Sequence, residues 1–171
     1  MASSKRNSAR SKKPKRRIPR PMPTDAVSLL KADHRQVEEW FGEFEGARSS
    51  DKKQKLASQI CAALRVHTTL EEELFYPAFI KSTKDKDIHH EAIVEHAGAK
   101  SLIAQIESSD PSDDYFDSKV KVLSEIIKHH VKEEEQPGGM FAEAKASKMD
   151  LGELGSELLR RKQQLSGKAS S

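Results

Sequence analysis

The sequence is nearly without cysteine: Cys61 is its single one in 171 residues, which excludes an intrachain disulfide and any cysteine-rich zinc site. Long apolar runs are missing too. No stretch approaches the roughly 18 residues a membrane span needs, and the N-terminus lacks the apolar region of a secretory signal. These absences point to an intracellular protein with no membrane partner, cytoplasmic or, in a eukaryote, nuclear. Gly-rich phosphate loops and GxSxG elbows are also absent, and Gly138 with Gly139 reads as a helix stop. What remains is a chain 35% apolar and 33% charged, the balance of a soluble helical protein with one wet face per helix, long enough for one domain with a real core.

Acidic residues are missing from one segment. Residues 1 to 20 carry nine Lys or Arg and no acid, so the other 151 residues hold 21 basic and 27 acidic groups, a net of −6. The segment is rich in Ser, Lys, Arg and Pro, and cannot bury enough surface to offset the entropy of ordering. Residues 1 to 23 are therefore expected to form a disordered basic tail, either a solvated one or a contact to nucleic acid.

Beyond the tail, apolar residues recur at helical spacing. Following Thr24, Val27, Leu30, His34, Val37, Phe41 and Phe44 define a first helix. Ser50 or Asp51 can cap a second, with a stripe of Ile60, Ala63, His67, Leu70 with Glu71, Leu74 and Ala78, and a kink or break expected at Pro77. The third runs from about Lys86 to Ser108, with His89, Ala92, His96, Ala99, Ile103 and Ile106 on one face. Asp110 and Pro111 read as the start of the fourth, whose stripe is Phe116, Val120, Leu123, Ile127, His130 and Glu134. Two short helices are expected after Pro137, the second opening at Asp150 with Glu153 three residues on. The expectation is an all-α protein: an up-down-up-down four-helix bundle over 24–136, then 137–171 as short helices and a tail.

Each of the four stripes carries a histidine: His34, His67, His96 and His130. Two of these are followed one turn later by a carboxylate, Glu71 and Glu134, so each pair projects an imidazole and a carboxylate from one helix face. Buried, such groups need partners, and a metal ion serves imidazole and carboxylate together. In an antiparallel bundle early positions on the first and third helices lie level with late positions on the second and fourth, which brings all six to one height. Six nitrogen and oxygen donors suit two ions bridged by carboxylates better than one tetrahedral ion; iron, manganese and zinc all fit such a set. The Glu-x-x-His pairs of ferritin-like bundles and the His-Glu-x-x-His of zincins are absent.

The set of motifs ADHRQVEEWF, HTTLEEELFYPA, VEHAGAKSLI and HHVKEEE resembles the hemerythrin-like proteins with an HHE cation-binding domain. The resemblance implies a di-iron centre in a four-helix bundle, binding or sensing O2, NO or peroxide, or buffering iron. It assigns His34 and His67 to one iron, His96 and His130 to the other, and Glu71 and Glu134 as bridges. A peroxidase- or catalase-like activity is the enzymatic alternative.

The chain departs from the oxygen carriers in two places. Ala92 stands four before His96 where they have a histidine, and the fourth helix offers Glu133, Glu134 and Glu135 in place of an aspartate. The stripe selects His130 with Glu134, although His129 with Glu134 reproduces the carriers' five-residue spacing. Glu91, Glu95, His89 and Tyr76 are candidates to fill the position left by Ala92. The acids of HHVKEEE beyond Glu134 read as a solvated face, Trp40, Phe41 and Phe44 as packing, and Cys61 as a small buried residue.

Overall fold

The computed structural model describes residues 23–168. Residues 1–22, nearly all of the segment read as a disordered tail, lie outside them, as do 169–171.

Helix α1, Ala26–Glu45, starts where Asp25, in extended conformation, accepts a hydrogen bond from the Ser28 amide at 2.9 Å. It buries the expected stripe of Val27, Leu30, His34, Val37, Phe41 and Phe44. Helix α2, Ser50–Leu70, is capped by Ser49, one residue before Ser50 and two before Asp51. Its continuation departs from the sequence reading. In place of a kink at Pro77, residues Glu71–Phe75 form a π-helical turn that leads directly into α3, Tyr76–Thr83. The Tyr76 amide bonds to the Glu71 carbonyl five residues back, and Pro77, having no N–H, has none to lose there. The extra residue rotates everything beyond it: Leu74 and Ala78, expected inside, are half-buried, while Phe75, Tyr76 and Phe79 are buried.

Helix α4, Asp87–Glu107, buries Ala92, His96, Ala99, Ile103 and Ile106. The fourth bundle helix, α5, spans Phe116–Glu135 and does not begin at Pro111. Asp110 instead accepts from the Ser112 amide at 2.8 Å and Asp113 from the Tyr115 amide at 2.8 Å, so two successive turns consume the start signal. Gly138, at φ +79, and Gly139 turn the chain after α5; a Cβ on Gly139 would sit 2.2 Å from the Glu133 carbonyl oxygen.

Helix α6, Met140–Ala146, is short as expected, but α7, Leu151–Lys168, has 18 residues and is not. Asp150 accepts from the Glu153 amide at 2.9 Å at its start, as expected. It lies along α1 and α2, burying Leu154 and Leu158.

Helices α1, α2, α4 and α5 close the bundle, with α1 against α2 and α5, and α4 against α2 and α5. Two apolar clusters fill it. One gathers Phe41, Phe44, Ile60, Ile103, Phe116 and Leu123; the other gathers Leu30, Phe75, Phe79, Met140, Phe141 and Leu158. Cys61 belongs to the first, and burial pushes its thiol up to about 12. Trp40 packs half-buried against the same cluster. Among the described residues no helix is long and apolar enough to cross a membrane.

Candidate metal centre

All six sequence-selected residues meet, and all are buried: His34, His67, Glu71, His96, His130 and Glu134. The four imidazoles point Nε2 inward. His34 Nε2 lies 3.0 Å from His67 Nε2, and His96 Nε2 lies 3.3 Å from His130 Nε2. Glu71 reaches both pairs, with Oε1 3.2 Å from His67 Nε2 and Oε2 3.3 Å from His96 Nε2 and 3.9 Å from His130 Nε2. Glu134 Oε2 lies 3.4 Å from His34 Nε2 and 3.6 Å from His130 Nε2, so it too faces one histidine of each pair. His129 does not take part: its side chain is 63% exposed and its Nε2 meets Glu95 at 3.2 Å.

These donors form two groups able to hold a cation, His34 with His67, Glu71 and Glu134, and Glu71 with His96 and His130. Two observations test whether a cation fits. Glu71 Oε1 and Glu134 Oε2 are buried without any hydrogen-bond partner, which is costly unless positive charge fills the gap. Metal–ligand bonds of about 2.1 Å give neighbouring donors about 3.0 Å apart at right angles and about 3.4 Å apart in a tetrahedron. The His34–His67, His67–Glu71 and His34–Glu134 separations of 3.0, 3.2 and 3.4 Å fall in that range. The residues fit.

The smaller group has a further donor beside it. The Tyr76 hydroxyl lies 3.2 Å from His96 Nε2, 3.3 Å from Glu134 Oε1 and 3.4 Å from Glu71 Oε2. Of the four candidates for the position left by Ala92, Tyr76 is the one at the centre. Glu95 binds His130 from behind, His89 meets the edge of the Tyr76 ring at 5.6 Å between centroids, and Glu91 is exposed. The π-turn brings Tyr76 inside, and nothing in a regular α-helical stripe signals it.

Behind the imidazoles stands a ring of acids off the apolar stripes. Glu135 lies 2.8 Å from His34 Nδ1, Glu72 2.9 Å from His96 Nδ1 and Glu95 2.8 Å from His130 Nδ1; Asp33 is 3.7 Å from His67 Nδ1, an ion-pair distance only. A carboxylate at Nδ1 holds that proton and leaves Nε2 to face inward as a donor of electrons. Three of the acids are themselves paired, Glu135 with Arg35, Asp33 with Lys162 and Glu72 with Lys100. Glu135 is thus not part of a solvated face: its side chain is only 19% exposed. From α6, Phe141 stacks on the His34 ring at 5.7 Å and closes the apolar end of the site.

Protonation follows from this crowding. Burial opposes charge on His67, but Glu71 and Asp33 beside it outweigh burial and raise it to about 10. His130 is raised in the same way, by Glu134, Glu71 and Glu95 against its burial. His34 goes down to about 4, because burial prevails over its bond to Glu135. The carboxyls split: Glu71 is held well below the ordinary range against burial by His67 and its neighbours, while burial and the Glu71 charge push Glu134 up. Burial and the two glutamates push the Tyr76 phenol well above its usual value. Protons thus supply positive charge at the point where a cation would supply it.

Comparison with known proteins points the same way. The sequence profile of the Hemerythrin HHE cation binding domain matches residues 25–137. A crystal structure of a hemerythrin HHE cation binding domain-containing protein from Mycobacterium kansasii is similar, with a TM-score of 0.71 at 23% identity, covering 85% of this chain and 89% of that one. A protein of Nostoc sp. (strain PCC 7120) described as a DNA nickase is 31% identical over 107 residues, 63% of this chain. The match takes in 30% of that relative's length.

Proposed function

The chain belongs to the hemerythrin HHE cation-binding family, and from that premise we propose that it is a non-haem di-iron protein that binds or senses O2, NO or peroxide. His34 and His67 would hold one iron and His96 and His130 the other, with Glu71 and Glu134 as the carboxylates shared between them. The observation that carries this is the placement of the Glu71 oxygens, 3.2 Å from His67 on one side and 3.3 Å from His96 on the other. Sulfur-free ligation by imidazole and carboxylate admits iron, manganese and zinc alike, and the hemerythrin likeness favours iron over the other two. When bound, the metal pair would supply Lewis acidity and electrons to a small ligand.

The chain's own residues determine what reaches that pair. Glu135, Glu72 and Glu95 orient the imidazoles, so Nε2 need not reorganise on loading. Phe141 and Leu30 keep the His34 side apolar. The two halves are unequal: each has two imidazoles and shares Glu71 and Glu134, but Glu134 lies closer to His34 than to His130, and the Tyr76 phenol and the small side chain of Ala92 stand beside the second half. Such asymmetry favours a small ligand at the second half. It supports sensing, scavenging or iron buffering over symmetric reversible oxygen carriage.

Iron analysis and an optical spectrum of freshly purified protein test the reading. About two irons per chain with a ligand-to-metal absorption band that responds to NO or peroxide is the expected result. A metal-free chain after growth in iron-rich medium would overturn it, and sustained peroxide turnover would move the reading to a peroxidase- or catalase-like enzyme.

A second reading concerns the tail and coexists with the first. Nine Lys or Arg without one acid in residues 1–20 suit a contact to nucleic acid. Salt-sensitive DNA or RNA binding that disappears when residues 1–23 are deleted supports it; equal binding by both chains refutes it.

A further inference from the structure

Between α4 and α5, below the turn at Gly138 and Gly139, lies a cavity of about 50 Å³. Its inner wall is Glu134 and His130, one side is Ala92, and its outer wall includes Glu91, Glu95 and Glu133. The volume holds a few waters, since about 10–15 Å³ measured this way suffices for one. Outside it, the same three glutamates line a surface groove of about 480 Å³ together with His90, His129 and Val94. Among the described residues neither Lys nor Arg lines either space.

Three features mark this as a passage with a preferred traveller. Glu134, only 2% exposed, borders the cavity, and its Oε2 has no hydrogen-bond partner. Glu95 lines both spaces, with Oε1 3.2 Å from His129 at the groove and Oε2 2.8 Å from Nδ1 at the back of the His130 ring. Ala92 has the smallest side chain that still completes the helix face, and a larger one would fill the cavity. On the opposite side of the centre, the void among Val37, Leu64, Ile127 and Val131, with Asp33 and Thr68 at its wall, measures about 10 Å³, too little for a hydrated ion to pass.

We infer that this acidic groove and the Ala92 cavity are the route by which a divalent cation reaches the centre, with Glu91 and Glu133 as the recruiting carboxylates and Glu95 as the relay. The inference rests on the metal reading above and adds the path. A low-dielectric cleft lined by one sign of charge concentrates the opposite ion and raises its on-rate by ten- to a thousandfold. The cation exchanges waters for carboxylate oxygens in the groove before passing Ala92 to Glu134.

The test follows loading of the full chain, freed of metal by chelation, with Co(II) under anaerobic conditions at low ionic strength, by stopped-flow absorbance of the ligand-field bands. Glu91→Gln with Glu133→Gln should slow loading at least about threefold at unchanged final stoichiometry, and lessen its salt dependence. Asp113→Asn with Asp114→Asn, the same charge change at the far turn, should load as the parent does. Ala92→Leu should slow loading with either background, its fold checked by circular dichroism. Unchanged rates in the double glutamate variant, equal slowing in the Asp113 and Asp114 control, or lost stoichiometry at an unchanged rate would each overturn the route. A parent chain that takes up no Co(II) refutes the metal reading itself, and the route with it.

Discussion

The Tyr76 hydroxyl lies 3.2 Å from His96 Nε2, although an unbroken α-helix drawn through His67 would place Tyr76 about 180° away from it. The π-turn at Glu71–Phe75 accounts for the difference, by adding one residue between the ligand-bearing turn and the tyrosine.

Tyr76→Phe keeps the ring, its packing on Phe75 and the helix, and removes the hydroxyl alone. The metal-free variant should lose about 1 kcal/mol of stability or less, since the hydroxyl's partners are charged groups that crowd each other. In the loaded protein, binding should weaken at one of two cations, read as a split in a metal titration that is single-phased in the parent. An unaltered titration and spectrum would remove Tyr76 from the centre.

Glu71 and His96 should behave differently on substitution. Glu71 faces both histidine pairs, so Glu71→Gln is expected to lower occupancy at both positions, whereas His96→Gln should empty one and leave the His34–His67 side loaded. Metal analysis of the two purified variants decides it. Loss of a single equivalent from Glu71→Gln contradicts a shared carboxylate.

The metal-free protein should lose stability on the alkaline side. Folded His67 holds its proton to about 10 against an ordinary 6.5, so its contribution is complete below 6.5 and lost as pH rises through 10. Glu134, also raised, acts in the same direction. His34, lowered to about 4, has the opposite sign: its contribution is present above 6.5 and lost as pH falls through 4. Thermal melts of chelated protein should therefore decline toward pH 10, while loaded protein, whose ligands are already deprotonated, should not. Parallel curves for the two forms would contradict this.

Gly155 tests whether α7 belongs to the bundle. A Cβ there would lie 2.7 Å from the Ala26 nitrogen, backbone against backbone, so Gly155→Ala must push α7 off the start of α1. A loss of about 1–3 kcal/mol in denaturant unfolding is expected, with faster amide exchange in α7 than in α4. Unchanged stability would show that α7 does not dock there.

Much of the centre was legible in the sequence because its six donors sit on apolar stripes, where a polar residue stands out. The acids behind them were not, for the opposite reason. Asp33, Glu72, Glu95 and Glu135 lie one residue off the stripe, where a carboxylate reads as solvated or, for Glu95, as a candidate ligand; only the neighbouring helix shows that each faces the back of a histidine. Tyr76 was weighed but could not be placed, since period counting assumes an unbroken helix. Asp110 and Pro111 suit a turn as well as a cap, so the spacing predicts the start of α5 too early, and Gly152 and Gly155 interrupt the apolar pattern of α7, so its full length does not show in the sequence.

The acids at the back of the imidazoles have a consequence for assembly. At two places in the bundle, the π-turn and the end of α5, the inner and outer carboxylates are sequence neighbours, Glu71 beside Glu72 and Glu134 beside Glu135. A helix turned by one residue, about 100°, brings its outer acid inward in place of the inner one, about 1.5 Å off in height, and leaves the histidine that the outer acid should hold without its partner. The interlocked pairs therefore work as a gauge of rotation and height across four helices. Choosing one native alignment and building the centre become a single event, which apolar stripes alone, tolerant of sliding, would not enforce.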